Sequence, residues 1–194
     1  MVLKIKNISV GAFVLALIML LSACGLAAKE ETANVSDYSL YFGLGGKHDK
    51  AYLIKNDIFP EAIPSTANVE KFQYCYYNSF DPNYVCYLVY TCDDDEYKAE
   101  RERLSKIRSS DKYLIYGATG FNYPVCAVHA DSYNGYVYAL SDEKNKRFIY
   151  VEISFCNYFC DVDYTKIISK EFLPIGFDAM QGNATRKRFE EKNK

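Results

Sequence analysis

The chain has 194 residues, which suits one domain behind a short leader and is long enough to bury a core without help from metals. It carries 23 Lys and Arg against 25 Asp and Glu, a net charge of -2, so it has no basic bias and the class of nucleic-acid binders is excluded. The length also excludes a large bilobed solute receptor, whose two lobes and hinge need more chain.

The first 23 residues read as a secretory leader. Lys4 and Lys6 make a positive start, and Ile8 to Leu21 is an apolar run interrupted by Ser9 and Gly11. That run is about fourteen residues, short of the roughly 20 needed to span hydrocarbon. Leu21-Ser22-Ala23-Cys24 follows, and it resembles the lipobox of bacterial lipoproteins. The resemblance implies that Cys24 is the lipid-attachment residue, alkylated by a diacylglyceryl group and exposed as the new N-terminus by cleavage before it. Two acyl chains hold a protein on a bilayer. The chain is therefore expected on the extracytoplasmic face of the cell membrane, its first partner being the bilayer. An uncleaved anchor and a plain signal peptide are the alternatives. Nineteen tyrosines, no tryptophan and many Lys, Asn and Ile suggest an A+T-rich bacterial genome.

Residues 24–50 read as lipidated N-terminus and tether. Gly43-Leu44-Gly45-Gly46 breaks regular structure there, with no strand-to-helix frame for a phosphate cradle. Residues 51–180 read as a single domain. Val69 to Asn78 and Tyr84 to Thr91 are strand-like runs joined by Ser79 to Asn83, hence a hairpin. Asp93 to Ile107 is the clearest helix, with Asp93 as cap and Glu96 three residues on. Tyr97, Leu104 and Ile107 mark its inner face, and Glu100 to Arg103 are expected largely in solvent. Tyr113 to Tyr116 offers a short strand. Val125 to Ser132, Tyr136 to Ser141 and Arg147 to Phe155 are three further strands separated by Tyr133-Asn134-Gly135 and by Asp142 to Lys146. Asp163 to Phe172 makes a closing helix stopped by Pro174. Residues 181–194 read as a charged, frayed tail. The order ββα-βββ-α predicts an α+β fold, an antiparallel sheet with one or two helices packed on one face.

"FPEAIP" at residues 59–64, the Tyr-rich hairpin and "DDEYKAERERL" at residues 94–104 resemble a group of uncharacterised small lipoproteins and membrane-anchored domains from Firmicutes. The resemblance supports the domain boundary and implies no activity.

Chemistry-bearing residues are sparse. The histidines are His48 and His129. Cys126 and His129 are three apart on one strand, hence on opposite faces, which argues against a local dyad. Asp93 to Glu96 is the densest acidic cluster, but Lys98 stands where a calcium loop needs glycine, so a helix N-terminus is the reading. Asp161 and Asp163 read as turn and cap residues. No ligand spacing predicts a metal, and no cofactor is expected. Cys75, Cys86, Cys92, Cys126, Cys156 and Cys160 remain, an even count that favours disulfides outside the cytoplasm, with buried free thiols as the alternative. If Asn78 pairs with Asn83, Cys75 faces Cys86, making that pair the candidate disulfide. Tyr74, Tyr76, Tyr87, Tyr90, Tyr136 and Tyr138 are read first as strand packing and secondly as an exposed platform for a glycan.

These readings point to a non-catalytic binding or accessory lipoprotein at the cell envelope, with an envelope protein or glycan as ligand. The alternatives are a cell-envelope hydrolase and an assembly lipoprotein docking through its sheet edge. A solvent-facing tyrosine row favours binding, His129 beside a carboxylate favours the enzyme, and an open edge or apolar patch favours assembly.

Overall fold

The computed structural model describes residues 28–42, 46–47, 56–78, 82–155, 162–180, 182, 184–192 and 194. Six strands form one antiparallel sheet in the order β1-β2-β3-β6-β5-β4. They are β1 (Ala28–Thr32), β2 (Asn68–Asn78), β3 (Pro82–Thr91), β4 (Val125–Asp131), β5 (Gly135–Asp142) and β6 (Arg147–Ser154). Among the described residues, four α-helices accompany it: α1 (Tyr38–Tyr41), α2 (Asp94–Ser105), α3 (Tyr164–Ile167) and α4 (Ala184–Lys192). The α+β class and the antiparallel sheet match the sequence expectation. Among the described residues, no helix is long and apolar enough to cross a membrane.

α2 forms where its cap predicts. The Asp93 carboxylate accepts from the Glu96 amide at 2.9 Å, and Tyr97 and Leu104 turn onto the sheet. On this face Phe72, Cys86, Leu88, Tyr90, Phe148 and Tyr150 pack against Tyr38, Phe42, Ile58 and Phe59. The opposite face is covered as well. Val85, Tyr136, Tyr138, Ile149 and Val151 meet irregular chain at Ile115 to Ala118 and the segment from Val162 to Ala179. Sandwiched on both faces, β3, β5 and β6 bury nearly every residue, which is why their sequences run apolar without alternation.

Several expectations are corrected. The β2–β3 register places Cys75 opposite Val85 and Tyr74 opposite Cys86, one residue from the predicted pairing. Asn78 pairs with Pro82, so the strand starts at the proline, which a strand tolerates as its first residue. Cys75 and Cys86 consequently lie on opposite faces of the sheet, both as free thiols. The tether reading of residues 24–50 gives way at Ala28, because β1 pairs with β2 and Tyr38 and Phe42 belong to the core. Tyr113 to Ile115 is irregular chain that leads into a turn at Tyr116, with φ 48, and is not a strand. The predicted helix from Asp163 breaks at Ile168 into α3 and a 3-10 turn, Lys170–Phe172. The tail contains α4, whose Arg186 is buried and donates to the Ala179 carbonyl at 2.9 Å.

Candidate functional site

Two side-chain pairings tie the segment Asn56 to Pro60 to the sheet where it crosses the α2 side. His129, Val137, Glu152, Cys86 and Tyr74 occupy one row across β4, β5, β6, β3 and β2. Two consecutive residues of the segment reach that row. The Asn56 amide donates to Glu152 Oε2 at 3.0 Å, and the Asp57 carboxylate meets His129 Nε2 at 2.8 Å. Glu152 is 1% exposed, and Ser154 donates to its other oxygen at 2.6 Å. His129 and Asp57 keep partial access to water, at 17% and 33% of their side-chain surface.

The backbone of the same segment is held by side chains. Arg103 on α2 donates to the carbonyl oxygens of Asp57 at 2.9 Å and Ile58 at 2.6 Å, and Tyr38 on α1 donates to that of Pro60 at 2.6 Å. Phe59 donates its amide to the Asn56 side chain at 3.2 Å. Arg103 in turn makes a bidentate pair with Glu100 at 2.7 and 2.6 Å, and the Tyr150 hydroxyl donates to Glu100 at 2.5 Å. Burial works against the Arg103 charge, but the Glu100 carboxylate outweighs it and the guanidinium is held above its ordinary range. Burial pushes the Tyr150 phenol up as well. Glu100 is 6% exposed, correcting the expectation that it lies in solvent.

Cys75, Cys86 and Cys92 offer poor nucleophiles. Burial, then the Glu31 carboxylate to which it donates at 3.3 Å, pushes the Cys75 thiol up to about 12. Burial drives Cys86 well above its usual range and Cys92 to about 11. Cys126 departs from the expected alternation. A bulge between Val125 and Ala127 turns it toward the α2 side, where Arg101 donates to its sulfur at 3.2 Å and to Ser141 at 2.8 Å. His129 takes Asp57 as its partner.

The strand tyrosines form core, the first of their two readings, and not an exposed platform. Tyr74, Tyr87, Tyr90, Tyr136 and Tyr138 are buried and Tyr76 is half-buried. Tyr138 donates to the Phe172 carbonyl at 2.7 Å, and Tyr41 stacks on Tyr74 with centroids 3.9 Å apart. Both sheet edges are blunted. Ser109 and Ser110 accept from the outward amides of Val128 and Ala130 at 3.0 Å each, closing β4. At the far edge, β1 carries Lys29, Glu30 and Glu31.

Asp163 caps α3, accepting from the Thr165 amide at 3.1 Å. Cys24, His48, Cys156, Cys160 and Asp161 lie outside the described residues. Among the described residues, no group of three or more His, Cys, Asp or Glu side chains could hold a metal. Asn56, Asp57 and Glu152 escaped the sequence reading because their contacts span 72 and 96 positions. A signal existed for one of them: Glu152 interrupts the otherwise apolar run Phe148 to Ile153, and a carboxylate there must be held from within. Compared with family models, with curated proteins and with solved structures, the chain matches none.

Proposed function

We propose that the chain is a lipid-anchored domain on the extracytoplasmic face of the cell membrane, acting there as a binding or accessory module. The observation that carries this reading is the position of β1. Its first residue, Ala28, lies four positions past the lipobox cysteine, so an anchor at Cys24 is wired into the sheet by a very short link. The titratable side chains of the α2 face support a module that holds its shape: Glu100, Arg103, Asp57 and Glu152 all serve to fix the Asn56–Pro60 segment. The blunted edges of β1 and β4 weigh against assembly through the sheet edge.

The experiment is fractionation of the full-length chain in a bacterial host, with and without inhibition of the lipoprotein peptidase. Wild type partitions with membranes, and the inhibitor leaves an unprocessed, larger form. Cys24→Ser is released into the medium or retained as an uncleaved precursor. Equal release of wild type and Cys24→Ser would overturn the reading.

A second reading, a hydrolase of cell-envelope polymers, is favoured by one contact. Asp57 orients the His129 imidazole as a carboxylate orients a general base, with part of the ring open to water. Purified protein incubated with envelope polymer decides it. Release of fragments by wild type, lost in His129→Asn and in Asp57→Asn with the fold retained, would establish the hydrolase; equal inertness of all three would dismiss it.

A further inference from the structure

We infer that the outward stripe formed by Val35, Ser36, Ser39 and Leu40 lies in the interface of the bilayer that carries the anchor, fixing which side of the domain faces the membrane. The inference rests on the anchor reading proposed above and adds an orientation to it.

The stripe is built by two short elements. A 3-10 turn, Val35–Asp37, runs into α1, and Tyr38 and Phe42 turn inward, stacked on each other with centroids 4.9 Å apart. What remains outward is Val35, Ser36, Ser39 and Leu40, with Val35 39% and Leu40 58% exposed, two of only five large hydrophobic residues left exposed among the described ones. In a chain that is 25% charged, this surface carries no outward charge. Asp37 turns back to accept from the Thr32 hydroxyl at 2.8 Å, and Asn34 accepts from the Ser36 amide at 3.2 Å. Among the described residues that flank the stripe, Lys29 pairs with Glu31 at 2.9 Å and Lys47 with Glu30 at 3.0 Å. An uncharged, weakly apolar surface of this kind suits the boundary between headgroups and acyl chains, about 5–10 Å deep.

The length of chain before β1 supplies the second argument. Four residues, fully extended, reach at most about 14 Å, so a lipid at Cys24 keeps Ala28 within that height of the membrane. β1 itself spans only about 17 Å, and the stripe begins three residues after it ends. The β1 side of the sheet is therefore the side the anchor holds down. Two apolar side chains are too few to recruit a free protein to a bilayer. Once the anchor confines the domain, however, their insertion is an intramolecular step with a high effective concentration.

The chain contains no tryptophan, so a single introduced one reports its own surroundings. Leu40→Trp is read in the lipidated full-length protein reconstituted into phosphatidylcholine vesicles. Tyr133→Trp serves as control, being 68% exposed in the β4–β5 turn near the opposite edge, about five strand spacings or 24 Å away. Expected is a blue-shifted Leu40→Trp emission, quenched by phospholipids brominated high on their chains, while Tyr133→Trp emission remains that of the unlipidated Cys24→Ser background in buffer. Vesicle flotation is scored in the same samples. A protein that floats with Leu40→Trp unshifted overturns the orientation and leaves the anchor standing. A protein that does not float overturns both. A blue shift of Leu40→Trp in Cys24→Ser protein at rising concentration, without vesicles, assigns the stripe to a second copy of the chain and also overturns the proposal.

Discussion

Glu100 carries a charge on the helix face that periodicity assigns to the core. It lies three residues after Tyr97 and four before Leu104, so the spacing of α2 points it inward whatever its chemistry. Its charge, taken without its position, predicts a place in solvent. The carboxylate is inside because Arg103 and the Tyr150 hydroxyl satisfy it, and Arg103 then reaches the Asp57 and Ile58 carbonyls. Removing Glu100 takes the carboxylate from the buried Tyr150 hydroxyl, which keeps Tyr90, and from the half-exposed Arg103 guanidinium, which keeps the two carbonyls. Glu100→Ala is accordingly expected to lower unfolding stability by about 1.5–3 kcal/mol, read from urea denaturation. Glu102→Ala, two residues on, breaks an exposed ion pair with Lys106 and should leave the midpoint where it was. Equal midpoints for Glu100→Ala and wild type would show that the network contributes nothing.

At the scale of elements, strands and the capped helix were legible, and the β2–β3 register was not. Alternation fixes register where one face of a strand is polar, because a one-residue slip then moves apolar side chains into water. Along β3, Asn83 to Tyr90 is buried at every position, so the slipped pairing looks as apolar as the true one. The decision falls to the turn, where Pro82 begins the strand instead of closing the loop. The β4–β5 turn was legible because its chemistry is restrictive. Gly135 sits at φ +94, and a Cβ there would approach the Ile153 carbonyl oxygen to 2.0 Å. Gly135→Ala should cost about 1–3 kcal/mol from the backbone conformation alone, with the collision added. Thermal unfolding measures the loss. Hydrogen exchange should place it at β4 and β5, which open faster than β2 and β3; an unchanged melting temperature would mean the turn re-forms without strain.

For the molecule as a whole, the polar pairs that hold the Asn56–Pro60 segment join residues too far apart in sequence for spacing to relate them, as in Asp57 with His129 and Asn56 with Glu152. What composition did announce is a core rich in tyrosine, and that core gives the domain a defined response to base. Burial pushes the Tyr136 phenol up to about 12 from an ordinary 10.0, and the Cys75 thiol to about 12 from 9.0. Tyr138, Tyr150 and Cys86 are raised by burial in the same direction. A raised value means that the folded state keeps a proton which the unfolded chain gives up first. The stability these groups contribute is complete below pH 9. It drains as pH rises past 9 for the thiols and 10 for the phenols, by roughly 1.4 kcal/mol per pH unit for each group, until the folded values are reached. The melting temperature should therefore be flat from neutrality to pH 9 and fall steeply above 10. In reducing buffer at rising pH, tyrosinate absorbance from the buried phenols should appear together with the loss of far-ultraviolet dichroism. Full tyrosine ionisation near pH 10 in a protein that is still folded would show that these hydroxyls are not sequestered in the core.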